Sequence, residues 1–242
     1  YVFAAGDGQD VFGEDGGGAD FGPVKAGIDF IQFMGSISAD DLVLSRDGLS
    51  NDLMVRIKDA QGVLTGDSIL IEDQFAGTRL NFGAFGAVDP GLGLDYVSLN
   101  QIERMIFEDG TSLDFQQISQ KVIDNAKTDG ADAIFGMLND NSLDGGKGND
   151  LLQGFEGSDT YVFGKGYGQD LVHDQDISLK WFGDSPDTLA LKDDIRWTDI
   201  EFLRDGDGDT LTLKIKDSSD QVTLVDFTDY EPLSATPSHR IE

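Results

Sequence analysis

Residues 127–162 read KTDGADAIF, GMLNDNSLD, GGKGNDLLQ and GFEGSDTYV, four consecutive nine-residue units with no slip in register. The fourth place holds Gly130, Asn139, Gly148 and Gly157, the sixth Asp132, Asn141, Asp150 and Asp159, and the eighth Ile134, Leu143, Leu152 and Tyr161. Glycine, and asparagine after it, accepts the positive-φ backbone of a tight turn. The oxygen-bearing side chain two residues later stands at the mouth of that turn, and the apolar residue two further on points inward as in a short strand. Two units make one coil with a turn on each side, so units two apart stack, Asp132 over Asp150 and Asn141 over Asp159.

Stacked carboxylates repel one another unless a cation lies between them. Carboxylates and turn carbonyls, with no Cys and only two scattered His, make a hard oxygen-only site that favours calcium over zinc or copper. GGKGNDLLQ satisfies every defined place of the nonapeptide GGxGxDxUx, and the chain resembles the repeats-in-toxin, haemolysin-type calcium-binding family. The resemblance implies a calcium-bound parallel β-roll in which sixth-place carboxylates and second- and fourth-place carbonyls hold the ions. Carried over, the carbonyls come from Thr128, Gly130, Met137, Asn139, Gly146, Gly148, Phe155 and Gly157. Thr128, Met137, Phe155, Asn139 and Asn141 depart from the motif, and Asn141, bringing no charge, makes its pair with Asp159 the weaker site.

The chain carries 46 acidic and 17 basic residues, a net charge of −29, which argues against nucleic acid or anionic membrane surfaces as partners. Its 39% hydrophobic and 10% aromatic content suffices for a core, so the acidity is read as a folded protein partly neutralised by bound ions rather than as disorder. The absence of Cys excludes disulfides and thiolate metal sites, and no apolar run is long enough to span a bilayer.

Outside the repeats the chain is a tandem duplication. Tyr1-Val2-Phe3, Gly6, Gly8, Gln9 and Asp10 recur 160 residues later as Tyr161-Val162-Phe163, Gly166, Gly168, Gln169 and Asp170. Asp29, Ile31, Phe33, Ile37, Asp41, Arg46 and Asp47 recur 158 residues later as Asp187, Leu189, Leu191, Ile195, Asp199, Arg204 and Asp205. Tyr1 therefore matches the eighth place of a nonapeptide, and Arg240-Ile241-Glu242 reads like Gln101-Ile102-Glu103, as expected of a piece cut from a longer tandem array.

Alternating strands separated by Asp/Gly/Ser turns are predicted at 188–191, 200–203, 210–215 and 221–225, with counterparts at 30–33, 42–44, 53–57 and 69–71. They are expected to form antiparallel hairpins that cover the open end of each roll. Residues 115–126 carry Phe115, Ile118, Val122 and Ile123 at helical spacing. The expected class is all-β with one connecting helix. Its segments are a roll remnant at 1–29, a first cap at 30–114 with a Gly-rich insertion at 76–100, the helix at 115–126, a second roll at 127–187, a truncated second cap at 188–232, and a tail or incipient strand at 233–242. The roll is expected to continue past the regular units through Gly168 and Asp170 and then Asp187, giving one ladder Asp132, Asp150, Asp170, Asp187. The same logic pairs Asp10 with Asp29.

DGDGDT at 205–210 opens like an EF-hand loop, but Thr210 stands where Gly is required and Lys216 where the bidentate Glu belongs, so it reads as a hairpin turn. His173 reads as a solvated turn residue, and His239 lies in a Pro/Ser-containing tail. No nucleophile elbow, zinc-protease, phosphate-loop or dinucleotide motif appears. The expected function is a non-enzymatic, calcium-folded structural module of a large secreted or cell-surface bacterial protein, with neighbouring copies of the unit as partners and export by a type I system implied by the resemblance. The alternatives are an adhesive module acting through 76–100, or the accessory domain of a secreted hydrolase or epimerase.

Overall fold

The computed structural model describes residues 1–13, 29–75, 102–137, 139–155, 157–174, 186–192, 195–206, 210–225 and the backbone of 239–241. The insertion at 76–100, Trp181, Phe227, Gly27 and Ser185 lie outside the described residues. Apart from one α-helix and two single 3₁₀ turns the described structure is strand and turn, an all-β protein. No helix among the described residues is long and apolar enough to cross a membrane. The chain divides into two compact units, Tyr1–Ile118 and Ser119–Glu242.

Unit 1 holds β1 (Val2–Ala4), β2 (Gln9–Phe12), β3 (Phe30–Met34), β4 (Leu42–Ser45), β5 (Leu53–Lys58), β6 (Leu64–Ile71), β7 (Arg104–Phe107) and β8 (Ser112–Asp114). They form two sheets, β1-β3-β7-β8 and β2-β6-β5-β4. β1, β3 and β7 are parallel, as are β2 and β6, while the remaining pairs are antiparallel. Register aligns Phe3 with Phe33 and Phe33 with Phe107, all fully or almost fully buried, so three aromatic rings run through the core. The Phe33 and Phe107 rings stack at 5.4 Å, within the range where such pairs add about 1 kcal/mol to their area burial. The buried Gln74 side chain accepts from the Ile102 N–H and donates to the Ile102 carbonyl, tying together the two ends of the long connection.

The helix α1 (Phe115–Ala126) starts on a reciprocal cap, the Gln117 N–H donating to Asp114 Oδ1 and the Asp114 N–H to Gln117 Oε1, both at 2.9 Å. Ile118, Val122 and Ile123 are buried, as their spacing requires.

Unit 2 holds β9 (Ala133–Phe135), β10 (Ser142–Asp144), β11 (Leu151–Gln153), β12 (Thr160–Phe163), β13 (Gln169–His173), β14 (Asp187–Leu191), β15 (Ile200–Arg204), β16 (Leu211–Ile215), β17 (Gln221–Val225) and β18 (His239–Ile241). Odd and even nonapeptide strands go to different sheets: β9, β11, β13 and β17 run parallel in one, and β10, β12, β14 and β18 run parallel in the other. Leu152 aligns with Ile134, and Tyr161 with Leu143 and Leu189, so the eighth-place residues fill one core together with Ile123.

The duplication is exact at the level of pairing. β1-β3-β7 corresponds to β12-β14-β18, and β2-β6-β5-β4 to β13-β17-β16-β15. Three expectations are corrected. The hairpin segments do not simply cover the end of the coil: β6 and β17 pair parallel with β2 and β13 and extend the same sheet, and only the following two strands turn antiparallel. The tail contains β18, whose Arg240 pairs with Thr188 as Arg104 pairs with Phe30, three residues away from the match drawn with Gln101. His173 ends strand β13 opposite Val225 rather than lying in a turn. The 205–210 segment joins β15 to β16, which pair antiparallel from Arg204 and Leu211 onward.

Candidate metal centre

Two columns of side chains rise along the edges of the parallel strands. In the first, the Asp132 N–H donates to Asp150 Oδ1 at 2.9 Å, and the Asp150 N–H donates to Asp170 Oδ1 at 3.1 Å. In the second, the Asn141 N–H donates to Asp159 Oδ1 and the Asp159 N–H to Asp187 Oδ1, both at 2.8 Å. Asn141, Asp150, Asp159, Asp170 and Asp187 are all buried, Asp150 only 2% exposed.

The second column corrects the expected single ladder. Asp187 continues Asp159, because β14 pairs with β12 in a register that sets Thr188 beside Thr160; it does not lie under Asp170. Asp159 is consequently flanked on both sides, as Asp150 is. Asp10 and Asp29 are likewise not a pair: Asp10 aligns with Ile69 in one sheet, while the exposed Asp29 lies beside β3 in the other and donates its N–H to Glu103 Oε2 at 2.7 Å. In both copies the sequence between these strands is longer than one nine-residue unit, so counting in repeats puts the next Asp on the wrong side.

The turns bring backbone carbonyls to the same columns. A Cβ placed on Gly148 would overlap the Gly130 carbonyl, and one on Gly168 would overlap the Gly148 carbonyl. One on Gly157 would stand 2.8 Å from the Asn139 oxygen, and one on Gly146 3.6 Å from the Thr128 oxygen. Gly146, Gly148 and Gly157 have positive φ, and so does Phe155, which holds at second place the φ of 73° that Gly146 holds at 77°. The first two units differ: Thr128, Gly130, Met137 and Asn139 are not in that region, so the positive-φ expectation applies to the third and fourth units only. The glycines opening units two to four matter for a reason the sequence reading missed. A Cβ on Gly136, Gly145 or Gly154 would collide with the sixth-place side chain of its own unit, Asn141, Asp150 or Asp159.

The satisfaction of the sixth-place side chains is uneven. The Thr128 N–H donates to Asp132 Oδ2 at 2.6 Å, and the Met137 N–H donates to Asn141 Oδ1 at 2.5 Å. In the third unit the Gly146 N–H turns instead to Asp144 Oδ1. Asp150 Oδ2 is left buried with no hydrogen-bond donor, and Asp170 Oδ2 is in the same condition. The nearby ammonium groups do not serve them: Lys127 Nζ and Lys192 Nζ lie 3.2 and 3.6 Å from Asp144 Oδ2. Burial, then the charges of Asp132 and Asp144, holds Asp150 above the usual carboxylate range. Burial, then the charges of Asp150, Asp220 and Asp144, pushes Asp170 up to about 7.

Two orphaned, buried carboxylate oxygens beside stacked carbonyls fit a hard divalent cation. Among the described residues no three acidic or histidine side chains form a metal-binding cluster. Asp174, absent from the sequence reading, belongs to the second column: burial and a hydrogen bond with Asp187 raise it, and it also bonds Tyr161, whose hydroxyl accepts from the Gly154 N–H at 2.8 Å. Its one sequence signal is its place four residues after Asp170, at the end of β13.

Residues 52–117 match the family model of the haemolysin-type calcium binding protein related domain, and residues 128–161 and 135–169 match that of the RTX calcium-binding nonapeptide repeat (4 copies). The crystal structure of extracellular lipase LipA from Serratia marcescens is similar at 16% identity and a TM-score of 0.28, with 87% of this chain and 32% of that chain covered. Together with the repeat columns, the two matches give this chain a haemolysin-type calcium binding protein related domain at 52–117 and RTX calcium-binding nonapeptide repeats at 128–169, repeats whose ion is Ca²⁺.

Proposed function

We propose that this chain is a non-catalytic, calcium-folded structural module of a larger secreted or cell-surface protein, its nonapeptide strands forming a parallel β-roll with ions along both columns. The observation that carries this reading is the pair of buried carboxylate oxygens, Asp150 Oδ2 and Asp170 Oδ2, without donors in a column of like charges. Asp132, Asp150 and Asp170 with the carbonyls of Thr128, Gly130, Gly146 and Gly148 would hold one series. Asn141, Asp159 and Asp187 with those of Met137, Asn139, Phe155 and Gly157 would hold the other. Bound there, calcium supplies the positive charge that lets these carboxylates remain ionised while buried.

The residues themselves set the coupling between ion and fold. Each sixth-place N–H donates to the carboxylate of the following coil, so the columns exist only when successive coils are stacked. Without a counter-ion, burying them costs either repulsion or protonation. The secreted setting rests on kinship, since export by type I systems into calcium-rich surroundings is what the repeat family implies.

With dissociation constants of about 0.1 to 1 mM, as in extracellular calcium modules, a tenfold excess of ion stabilises by about 1.4 kcal/mol per site. Four sites contribute about 5 to 6 kcal/mol, as much as the whole stability of many domains. Far-UV circular dichroism from chelator into millimolar calcium tests this. A cooperative gain of β signal is expected, with magnesium a poor substitute; a spectrum that calcium leaves unchanged refutes the reading.

A further inference from the structure

At the last parallel turn of each unit the pattern of donors changes. Inside the stack, the Gly148 N–H donates to the Tyr167 carbonyl of the following turn at 2.9 Å. At Gly166 and Gly168 a side chain takes over that role: the Gly166 N–H donates to Asp220 Oδ2 at 2.8 Å and the Gly168 N–H to Asp220 Oδ1 at 3.1 Å. Unit 1 repeats this with Gly6 and Gly8 on Asp67, at 2.9 and 3.1 Å.

The surroundings repeat as well. The Asp220 N–H donates to Ser218 Oγ, and the Asp67 N–H to Thr65 Oγ1. The next residue, Gln221 or Ser68, donates its N–H to the carbonyl of Gly168 or Gly8. In each of two copies three corresponding contacts tie a Ser/Thr-x-Asp segment to a Gly-x-Gly turn more than fifty residues earlier, and a fourth lies within the segment, from the Asp N–H to the Ser/Thr hydroxyl. Asp220 is 8% exposed, and the hydrogen bonds given for its carboxylate all come from donors, two peptide N–H groups and the Ser218 hydroxyl, while its charge also bears on Asp170.

We propose that Asp220 and Asp67 are built-in carboxylate plugs that close the Gly166–Gly168 and Gly6–Gly8 turns without metal, so that in unit 2 the calcium column of Asp132, Asp150 and Asp170 ends at the plugged turn instead of extending past it. The proposal rests on the reading of the columns as calcium sites and adds where they stop. Physically, the terminal turn has peptide N–H groups and no following turn to accept them, and an anion bridging two N–H groups satisfies both, as a side chain does at a helix N-terminus. The plug brings its own negative charge to a turn that, in the interior, is followed by neutral carbonyls. A hairpin strand can then take the next place in the sheet, as β17 and β6 do.

Full-length chain, Asp220→Asn and Asp67→Asn are compared in saturating calcium. Bound calcium is counted by equilibrium dialysis, and exchange of the Gly6, Gly8, Gly166 and Gly168 amides is followed by NMR. Both variants are expected to bind as many ions as the parent. Protection should fall at least about tenfold at Gly166 or Gly168 in Asp220→Asn, and at Gly6 or Gly8 in Asp67→Asn, each leaving the other turn unchanged. Loss of one bound ion per variant would make these carboxylates metal ligands and overturn the proposal, as would unchanged exchange at the plugged turns. If Asp220→Asn does not fold, Asp67→Asn decides, because its turn lies in the other unit. If the parent binds no calcium the column reading fails, while the exchange comparison still decides whether the carboxylates hold the turns.

Discussion

Replacing single glycines by alanine measures how tightly the coils are stacked, because three of them differ in only two respects. Gly148 has φ 144°, and a Cβ there would overlap the Gly130 carbonyl and approach Asp150 Oδ1 to 2.5 Å. The carbonyl belongs to the backbone of the adjacent coil and cannot yield without separating paired strands. Backbone strain costs about 1 to 3 kcal/mol and overpacking a similar amount, so Gly148→Ala is expected to destabilise by about 4 kcal/mol. Gly166 has φ 77° with nothing within 4 Å of the added carbon. Strain of about 1 to 2 kcal/mol, offset by the lower entropy of an unfolded alanine, leaves about 1 kcal/mol. Gly130 has an ordinary φ and a single contact at 3.5 Å, to Thr128 Oγ1, so Gly130→Ala should be neutral or stabilise by about 0.5 kcal/mol. Both tryptophans, Trp181 and Trp197, lie in unit 2, so urea denaturation followed by tryptophan fluorescence in saturating calcium reports on the unit that carries all three glycines. The order Gly148, Gly166, Gly130 is the prediction. A Gly148→Ala variant no worse than Gly166→Ala would mean the coils are not stacked closely enough for carbonyls to line a shared column.

Asp150 and Asp159 each stand between two neighbours in their columns, so Asp150→Ala and Asp159→Ala should both raise the calcium midpoint of folding severalfold. Asp205→Ala, at the β15–β16 hairpin, should leave it within twofold; an equal shift for Asp205 would detach the ions from the repeats. The pH dependence has a definite sign. Burial first, then neighbouring charge, holds Asp170 at about 7 against an ordinary 3.8, so the folded chain without metal binds a proton more tightly than the unfolded one. That stabilisation is fully present below about pH 3.8 and lost as pH rises through about 7, so from Asp170 alone the metal-free chain should be about 2 to 3 kcal/mol more stable at pH 5 than at pH 7.5. Calcium competes with that proton, so the calcium midpoint should rise as the pH falls over the same window. Denaturation in chelator and calcium titrations at the two pH values test both statements, and greater metal-free stability at pH 7.5 would count against them.

Much of this protein is legible along the chain because its information is local and repeated. A nine-residue period with glycine, an oxygen-bearing side chain and an apolar residue at fixed places prescribes turn, donor and inward-facing strand, and units two apart then stack because a coil takes two units. The repeat family and its ion follow from the same three places, and the helical spacing from Phe115 to Ile123 corresponds to a capped helix in which Ile118, Val122 and Ile123 are buried.

Where the period breaks, local rules lose their hold. Asp187 lies 17 residues after Asp170, close enough to a full coil to suggest the same column, yet strand pairing puts it 28 residues from its true neighbour Asp159. Backbone pairing decides the side, and connection length does not. The plugs at Asp67 and Asp220 were equally hidden, since a carboxylate 52 to 61 residues away from the N–H groups it satisfies leaves no periodic trace. Even the orphaned oxygen of Asp150 depends on a choice made in space, the Gly146 N–H turning to Asp144. The amino-acid sequence by itself determined the repeating unit, the duplication and the kind of ion. The tertiary structure alone decided which carboxylates share a column and where the column of Asp132, Asp150 and Asp170 stops, because those are settled by hydrogen bonds between residues that come together only when the coils stack.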